Sequence, residues 1–285
     1  MTATSDSATL RTERPPFGAL LRKWRRSRGL SQLELALTCG ISQRHLSFLE
    51  SGRANPSRGM AMHLASTLAV PLTEQNALLL AAGFAPAYGE RPLQAPDMRP
   101  ISEALARTLR QQEPFPAVVV DRHYDLLDAN RPAQRMLGFL LGLDSDGGSP
   151  GADAGVNLLG LMLSPEGLRP MVTNWEESAT WLIRRLRAEA LVEGTPEETE
   201  AFLKPLMKLP GVARLMNQPR EPRTLPPTLV VRFARDGVEL ALFSMIASMG
   251  TPLDATLQAI RVEFFFPADA ATEAWFRDQA AGDDA

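Results

Sequence analysis

Between Gly29 and Asn55 the chain reads GLSQLELALTCGISQRHLSFLESGRAN, a spacing that specifies two short helices joined by a tight turn. Ser31 stands three residues before Glu34, so its hydroxyl can accept the backbone N–H of Glu34 while the carboxylate reaches back to the Ser31 N–H. A helix is therefore expected from Ser31 to near Cys39, made apolar by Leu33, Leu35, Ala36 and Leu37. Gly40 supplies the left-handed residue of the turn. Ser42 caps a second helix in which Leu46 and Leu49, with Ile41 just before them, face a core and Gln43, Arg44, Ser47 and Glu50 point outward. Gln and Arg carry the paired donors and acceptors that match base edges in a DNA major groove, which a second helix held at this angle can enter.

Gln32, Gln43 and the ending Leu49-Glu50-Ser51-Gly52 resemble the helix-turn-helix of phage-repressor-like, or XRE-family, regulators. The resemblance implies an all-α domain of five helices. It implies further that Gln32 holds a phosphate and that Gln43, Arg44 and Ser47, with Ser42 at the head of their helix, reach bases. Arg53 and Asn55 then resemble the backbone-contacting loop. The competing reading, an interaction domain that binds no DNA, stays open at this point.

Charge is distributed unevenly. Residues 1–89 hold ten Lys or Arg against five Asp or Glu, a balance of +5, so the remainder of a chain whose total is −3 carries −8. A basic head on an acidic body fits a nucleic-acid reader joined to a module that avoids nucleic acid. With 285 residues the chain can build about two ordinary cores. Its one cysteine, Cys39, excludes an internal disulfide and points to the cytoplasm; the sequence shows neither a signal segment nor an apolar run of membrane-spanning length.

In chain order, residues 1–15 read as a disordered arm whose Arg11 and Arg14 are within reach of DNA. A helix follows with Phe17, Leu20, Leu21 and Trp24 on one face and Arg22, Lys23, Arg25, Arg26 and Arg28 around the rest, a cluster that either neutralises phosphates or is a solvated face. Asn55-Pro56-Ser57 opens a fourth helix carrying Met60, Leu64 and Leu68, with His63 a surface or packed residue, and a fifth closes at Gly83. The head thus spans 16–84, and the Pro-rich stretch 85–100 is the linker, which Tyr88 could anchor to either side.

RHLSFLESGRANPSR followed by LLLAAGFAPAY is similar to the MmyB-like regulators, whose second half is a PAS-like ligand-binding domain. Residues 101–275 fit that expectation: a helix with Ile101, Leu105 and Leu109, strands over 117–120 and 126–129, and a helix capped by Asn130. A Gly-rich acidic loop spans 144–155 without a phosphate-cradle signature. Helices follow, one with Trp175, Ala179, Leu182 and Leu186 as a stripe. Then come a hairpin turning at Asp236-Gly237 and a strand in which Ile260, Val262, Phe264 and Phe266 alternate with Arg261 and Glu263. This order gives an α+β fold with an antiparallel sheet covered by helices, ending in an acidic tail over 276–285.

No catalytic constellation is visible. The second half has a single histidine, His123, and no cysteine, and its adjacent pairs Glu176-Glu177 and Glu197-Glu198 point to different helix faces. No metal site or cofactor is expected, and no enzyme activity. The resemblance implies a cavity between sheet and helices for a small apolar, fatty-acid-like ligand, with Met162, Trp175, Leu182, Phe243, Met245 and Phe264 as its wall. Arg169 and Asn174 are the polar groups placed to meet a carboxylate, unless they cap helices instead. The expected protein is a homodimeric regulator whose heads read a near-palindromic double-stranded operator about 34 Å apart and whose second halves sense the ligand. Rival readings are a ligand-free dimerisation module, an enzyme on a lipid-like substrate, and a protein-partner module.

Overall fold

The computed structural model describes residues 16–143, 155–193, 196–217 and 228–281. The arm with Arg11 and Arg14, nearly all of the 144–155 loop and the end of the tail lie outside the described residues. The chain divides into two compact units, Met1–Tyr88 and Gly89–Ala285.

The first unit holds α1 (Phe17–Ser27), α2 (Gln32–Thr38), α3 (Gln43–Ser51), α4 (Arg58–Thr67) and α5 (Leu72–Ala81). The local signals act as their chemistry requires. Ser31 and Glu34 form the reciprocal capping box, Ser42 accepts from the His45 N–H, and Gly40 sits at φ 65 between the two helices. Leu21, Trp24, Leu35, Leu46, Leu49 and Leu64 fill the core. Gly18 marks where α1 and α3 touch, since a Cβ there would lie 2.5 Å from the Leu49 carbonyl oxygen and 2.6 Å from that of Glu50.

The apolar residues of α2 divide between core and surface, and one expectation about side-chain direction fails in this unit. Leu33 and Leu37 are 50% and 71% exposed, because in a helix of only seven residues the buried face reaches no further than Leu35 and Ala36. Glu50 is not outward but 4% exposed, drawn in by Arg25 of α1. Arg25 Nε and Nη2 donate to the two Glu50 carboxylate oxygens at 2.6 and 3.0 Å, and Arg25 Nη1 donates to the Leu30 carbonyl at 2.7 Å. Gln32 Nε2 and Arg22 Nη2 add bonds to the Glu50 carboxylate and carbonyl at 2.8 and 2.9 Å. One carboxylate thus ties the ends of three helices together.

The second unit is α+β. In order it runs α6 (Arg99–Gln111), β1 (Ala117–Val120), β2 (Leu126–Ala129), α7 (Arg131–Leu141), α8 (Leu158–Leu163), α9 (Trp175–Glu193), α10 (Pro196–Met207), α11 (Val212–Asn217), β3 (Val231–Arg235), β4 (Val238–Ser248), α12 (Ala255–Ala259), β5 (Arg261–Pro267) and α13 (Ala270–Ala281). The five strands form one antiparallel sheet in the order β2-β1-β5-β4-β3. The β3–β4 hairpin closes through Asp236 and Gly237, both at positive φ, as a two-residue turn demands. Asn130, 5% exposed, does more than cap α7. Its Oδ1 accepts from the Ala133 and Ala117 N–H groups, and its Nδ2 donates to the Leu109 and Phe115 carbonyls, which joins α6, β1 and α7.

Both faces of the sheet are covered. Val118, Val120, Phe233, Leu240 and Leu242 belong to the larger core beneath α7, α8 and α9, while Ala117, Val119, Ile260 and Val262 pack against Leu105 and Leu109 of α6. Residues 85–100, expected as a linker, divide between the units. Asn76 binds the backbone of Ala87 and Tyr88, and Tyr88 donates its hydroxyl proton to Gln75 Oε1. Beyond that point Gly89 bridges to Asp254, which also accepts from Arg91.

Removing one partner of a buried ion pair strands the other charge, at a cost of about 3–5 kcal/mol. Glu50→Ala should destabilise the first unit by that order, read as a shifted urea transition of the full chain. The pair also gives a pH signature. Burial would raise the Glu50 carboxyl, but the hydrogen bonds from Arg25 and Gln32 outweigh it and hold the group below its usual range. Its contribution is therefore complete above the unfolded value of about 4.3 and is lost as pH falls through the lower folded value. Glu50→Gln should flatten that acid dependence; an unchanged acid profile would contradict the assignment.

Candidate functional site

The first unit presents one polar face. Ser42, Gln43, Arg44, Arg53 and Asn55 are exposed and Ser47 is half-buried, so the head of α3 and the loop after it share an accessible surface. Phe48 organises this surface, with the Arg44 guanidinium 5.3 Å and that of Arg53 5.8 Å from its ring centroid. Stacking on one ring restricts two long side chains before any partner arrives, which lowers the ordering cost of binding. The structure brings together six of the seven residues expected at DNA. Gln32 stands apart in chemistry: its amide nitrogen is engaged by Glu50.

The basic cluster of α1 divides in two. Arg25 is consumed by Glu50, and Arg28 donates from Nε and Nη2 to the Leu68 and Ala69 carbonyls at 2.9 and 3.0 Å, fastening the end of α4. Arg26 is exposed. What composition presented as one electropositive helix is in good part internal scaffolding. His63 Nε2 lies 3.3 Å from the Cys39 carbonyl oxygen, which accounts for the histidine as a packed residue.

In the second unit a cavity of about 350 Å³ lies between the sheet and the covering helices. Its wall is mostly apolar, with Val118, Met136, Leu182, Leu242, Phe243 and Phe265 drawn from three strands and two helices. At one end the wall turns polar. Tyr124, 2% exposed, accepts from Arg185 Nη2 at 2.8 Å and donates to Glu189 Oε2 at 3.3 Å. Arg185 also lies 3.4 Å from Glu189 and 3.9 Å from Glu263. Burial, opposed by Arg185 and aided by Glu189, pushes the Tyr124 hydroxyl up to about 12, so it stays protonated. Burial alone would lower Arg185, but Tyr124, Glu263 and Glu189 outweigh it and raise it.

Tyr124 is also a backbone outlier. Its φ of 65 is costly for a bulky residue, and a left-handed residue of that kind stores about 1–3 kcal/mol. Asp121 holds it there: Oδ1 accepts from the His123 and Asp125 N–H groups at 2.8 and 2.9 Å, and the Tyr124 carbonyl accepts from the Leu158 N–H at 2.9 Å. The strained turn is what delivers the phenol into the cavity wall.

Of the residues expected at a ligand, Met162, Leu182 and Phe243 line this cavity. The other five lie elsewhere. Arg169 stacks 3.7 Å from the Trp175 ring centroid and donates to the Pro210 carbonyl, pinning the turn before α11. Asn174 accepts from the Arg232 N–H at 2.9 Å and donates to the Val230 carbonyl at 2.8 Å, which fixes the start of β3. Phe264 points to the opposite sheet face, toward Leu105 of α6, and Met245 is 59% exposed on β4 beyond the stretch paired with β3. The reason for both misplacements is strand parity. Glu263, which alternates with the apolar residues of β5, is 7% exposed at the cavity, and its neighbours Val262 and Phe264 face α6.

Sequence reasoning missed Tyr124, Ser178, Arg185 and Glu263, all in the cavity wall. One signal was present. Ser178 and Arg185 stand four residues before and three after Leu182, so a hydroxyl and a guanidinium interrupt one otherwise apolar stripe of α9. A group of three or more His, Cys, Asp or Glu side chains able to hold a metal is not found among the described residues. Nor, among them, is any helix long and apolar enough to cross a membrane.

A five-helix head with a polar recognition surface, joined in one chain to a helix-covered sheet with a cavity, defines a DNA-binding transcription regulator with a ligand-binding module. Comparison with family models is concordant: residues 21–75 match the helix-turn-helix family. Residues 101–278 match the MmyB-like transcription regulator ligand binding domain. The chain belongs to the MmyB-like regulators. No curated protein compared with it matches.

If the cavity admits an apolar molecule, filling it from the wall should exclude one. Leu182→Trp is expected to weaken binding of the uncharged fluorophore N-phenyl-1-naphthylamine to the full-length protein by at least about tenfold, measured by fluorescence titration. Arg169→Ala should leave that binding unchanged while lowering the thermal midpoint, since Arg169 holds a turn outside the cavity.

Proposed function

We propose that the protein is a homodimeric, sequence-specific operator-binding regulator of the cytoplasm, whose second unit senses a small, predominantly apolar molecule. The observation that carries this reading is the cavity between sheet and helices with a mainly apolar wall and a polar end. Sites of this kind combine apolar bulk for affinity with a few placed polar groups for orientation. The strand order β2-β1-β5-β4-β3 supports the PAS-like description of the unit that holds it. Enzymatic turnover is not part of this reading.

In the head, Gln43 and Arg44 read base edges, Ser42 and Ser47 flank them, and Arg53 and Asn55 hold the DNA backbone. Gln32 would reach a phosphate with the part of its amide that Glu50 leaves free. Dimerisation would place two recognition helices about 34 Å apart, in successive major grooves. A ligand that favours one dimer geometry then changes operator affinity by its differential binding to the two states.

The test is binding to the chain's own upstream region at several salt concentrations. A double variant, Gln43→Ala with Arg44→Ala, should lose at least about 30-fold in specific affinity, since two base contacts are removed and each good one is worth about 1–3 kcal/mol. Residual binding should keep a salt dependence owed to backbone contacts. Equal binding by wild type and variant would remove the assignment of α3 as the reading element.

A further inference from the structure

The longest strand of the sheet is only partly covered. β4 runs over 11 residues, Val238–Ser248, but β3 pairs with it only from Val238 to Leu242. From Phe243 to Ser248 its one strand neighbour among the described residues is β5. Ahead of β3, Thr228 and Leu229 line the cavity, so the chain there has turned onto one face of the sheet instead of extending the ladder. In an antiparallel ladder alternate residues direct their N–H and C=O groups to opposite sides, so this half of β4 carries a free backbone edge among the described residues.

The same stretch is apolar on both faces. Met245, opposite Phe264, is 59% exposed on the α6 face, and Ile246, opposite Glu263, is 38% exposed on the cavity face. Met249 and Leu253 follow at 37% and 81%, so four of the eight exposed large hydrophobic residues among those described belong to this one edge and the loop after it. Beside them a groove of about 190 Å³ runs between α6 and the sheet, with Ile101, Met249 and Phe264 in its wall. From Leu240 to Leu253 no residue is charged. An edge that must stay single is ordinarily blunted by lysine, proline or an inward charge, and Phe243–Ser248 holds none of these.

These features select the occupant. A helix laid on one face would cover Met245 or Ile246, whereas a strand added at the edge meets the free backbone groups and both side chains. In a two-fold interface a segment meets its own copy, so every charge in it would face its like; the uncharged run from Leu240 to Leu253 meets that condition. We infer that the second unit dimerises edge to edge, with Phe243–Ser248 of β4 pairing antiparallel with the same residues of a second copy about a two-fold axis near Met245 and Ile246. This rests on the homodimeric reading and supplies its surface. Phe243 and Ser244 belong to the cavity wall and also begin this edge, so a molecule in the cavity touches the strand that sets the dimer.

The experiment uses the full-length protein, with its mass in solution followed by light scattering over a dilution series. Wild type should be a dimer. Met245→Lys and Met245→Glu, each placing like charges across the axis, should raise the dimer Kd at least about hundredfold. An equal mixture of the two should recover the dimer, since Lys then faces Glu. Both variants should still bind N-phenyl-1-naphthylamine as wild type does, because Met245 lies off the cavity. Should either fail to fold, Met245→Cys in a Cys39→Ser background decides: bismaleimidoethane should link it into covalent dimers and leave Leu143→Cys, exposed on α7's far end, unlinked. A dimer indifferent to both charges, a mixture that stays monomeric, or a dimeric Met245→Cys that does not cross-link overturns this surface while the homodimeric reading stands. A monomeric wild type overturns the homodimeric reading itself and leaves the edge to a partner of another kind.

Discussion

Arg25 and Glu50 form the contact on which the DNA-reading head depends. The carboxylate belongs to the recognition helix, the guanidinium to the first helix, and the amide of Gln32 to the helix between them. Buried ion pairs are weak contributors to net stability, but they are demanding about geometry. Here the demand is useful. A bidentate Arg–carboxylate pair fixes both distance and plane, and the close approach at Gly18 admits the recognition helix at one depth. The angle at which α3 presents Gln43 and Arg44 follows from those two constraints, with Phe48 restricting the side chains themselves.

The second unit uses strain and charge where the first uses an ion pair. Asp121 holds Tyr124 in a left-handed conformation, and that phenol links the β1–β2 turn to Arg185 on α9 and, through it, to Glu263 on β5. Strand, turn and helix are thereby joined at the end of the cavity where a ligand's polar group would be read. Any molecule that alters the hydrogen bonding there acts on three elements at once. This is the kind of differential contact from which an effector can draw coupling energy.

Much of this organisation was legible in the residues. The capping box at Ser31, the cap at Ser42, the turn at Gly40, the two-residue hairpin turn and the Asn130 cap all operate within a few positions, and each appears where its chemistry puts it. What could not be read were contacts between distant segments. Glu50 looked outward on its helix because nothing local announces Arg25, 25 residues earlier. Phe264 and Glu263 were assigned to the wrong faces of β5, since both faces of the strand are covered and its polar alternation does not say which face meets α6 and which the cavity. Arg169 and Asn174 have the right chemistry for a carboxylate, and the fold spends both on its own backbone.

The central claim is that occupancy of the cavity is coupled to the reading of DNA. Operator affinity of the full-length chain, measured with the cavity open in wild type and filled by Leu182→Trp, addresses it without knowledge of the natural effector. Coupling of ordinary size predicts a shift of about 5- to 150-fold in either direction, with the salt dependence of binding preserved. Equal operator affinity in the two proteins, with the variant folded and its cavity closed to the fluorophore, would contradict the claim and leave the second unit without a regulatory role.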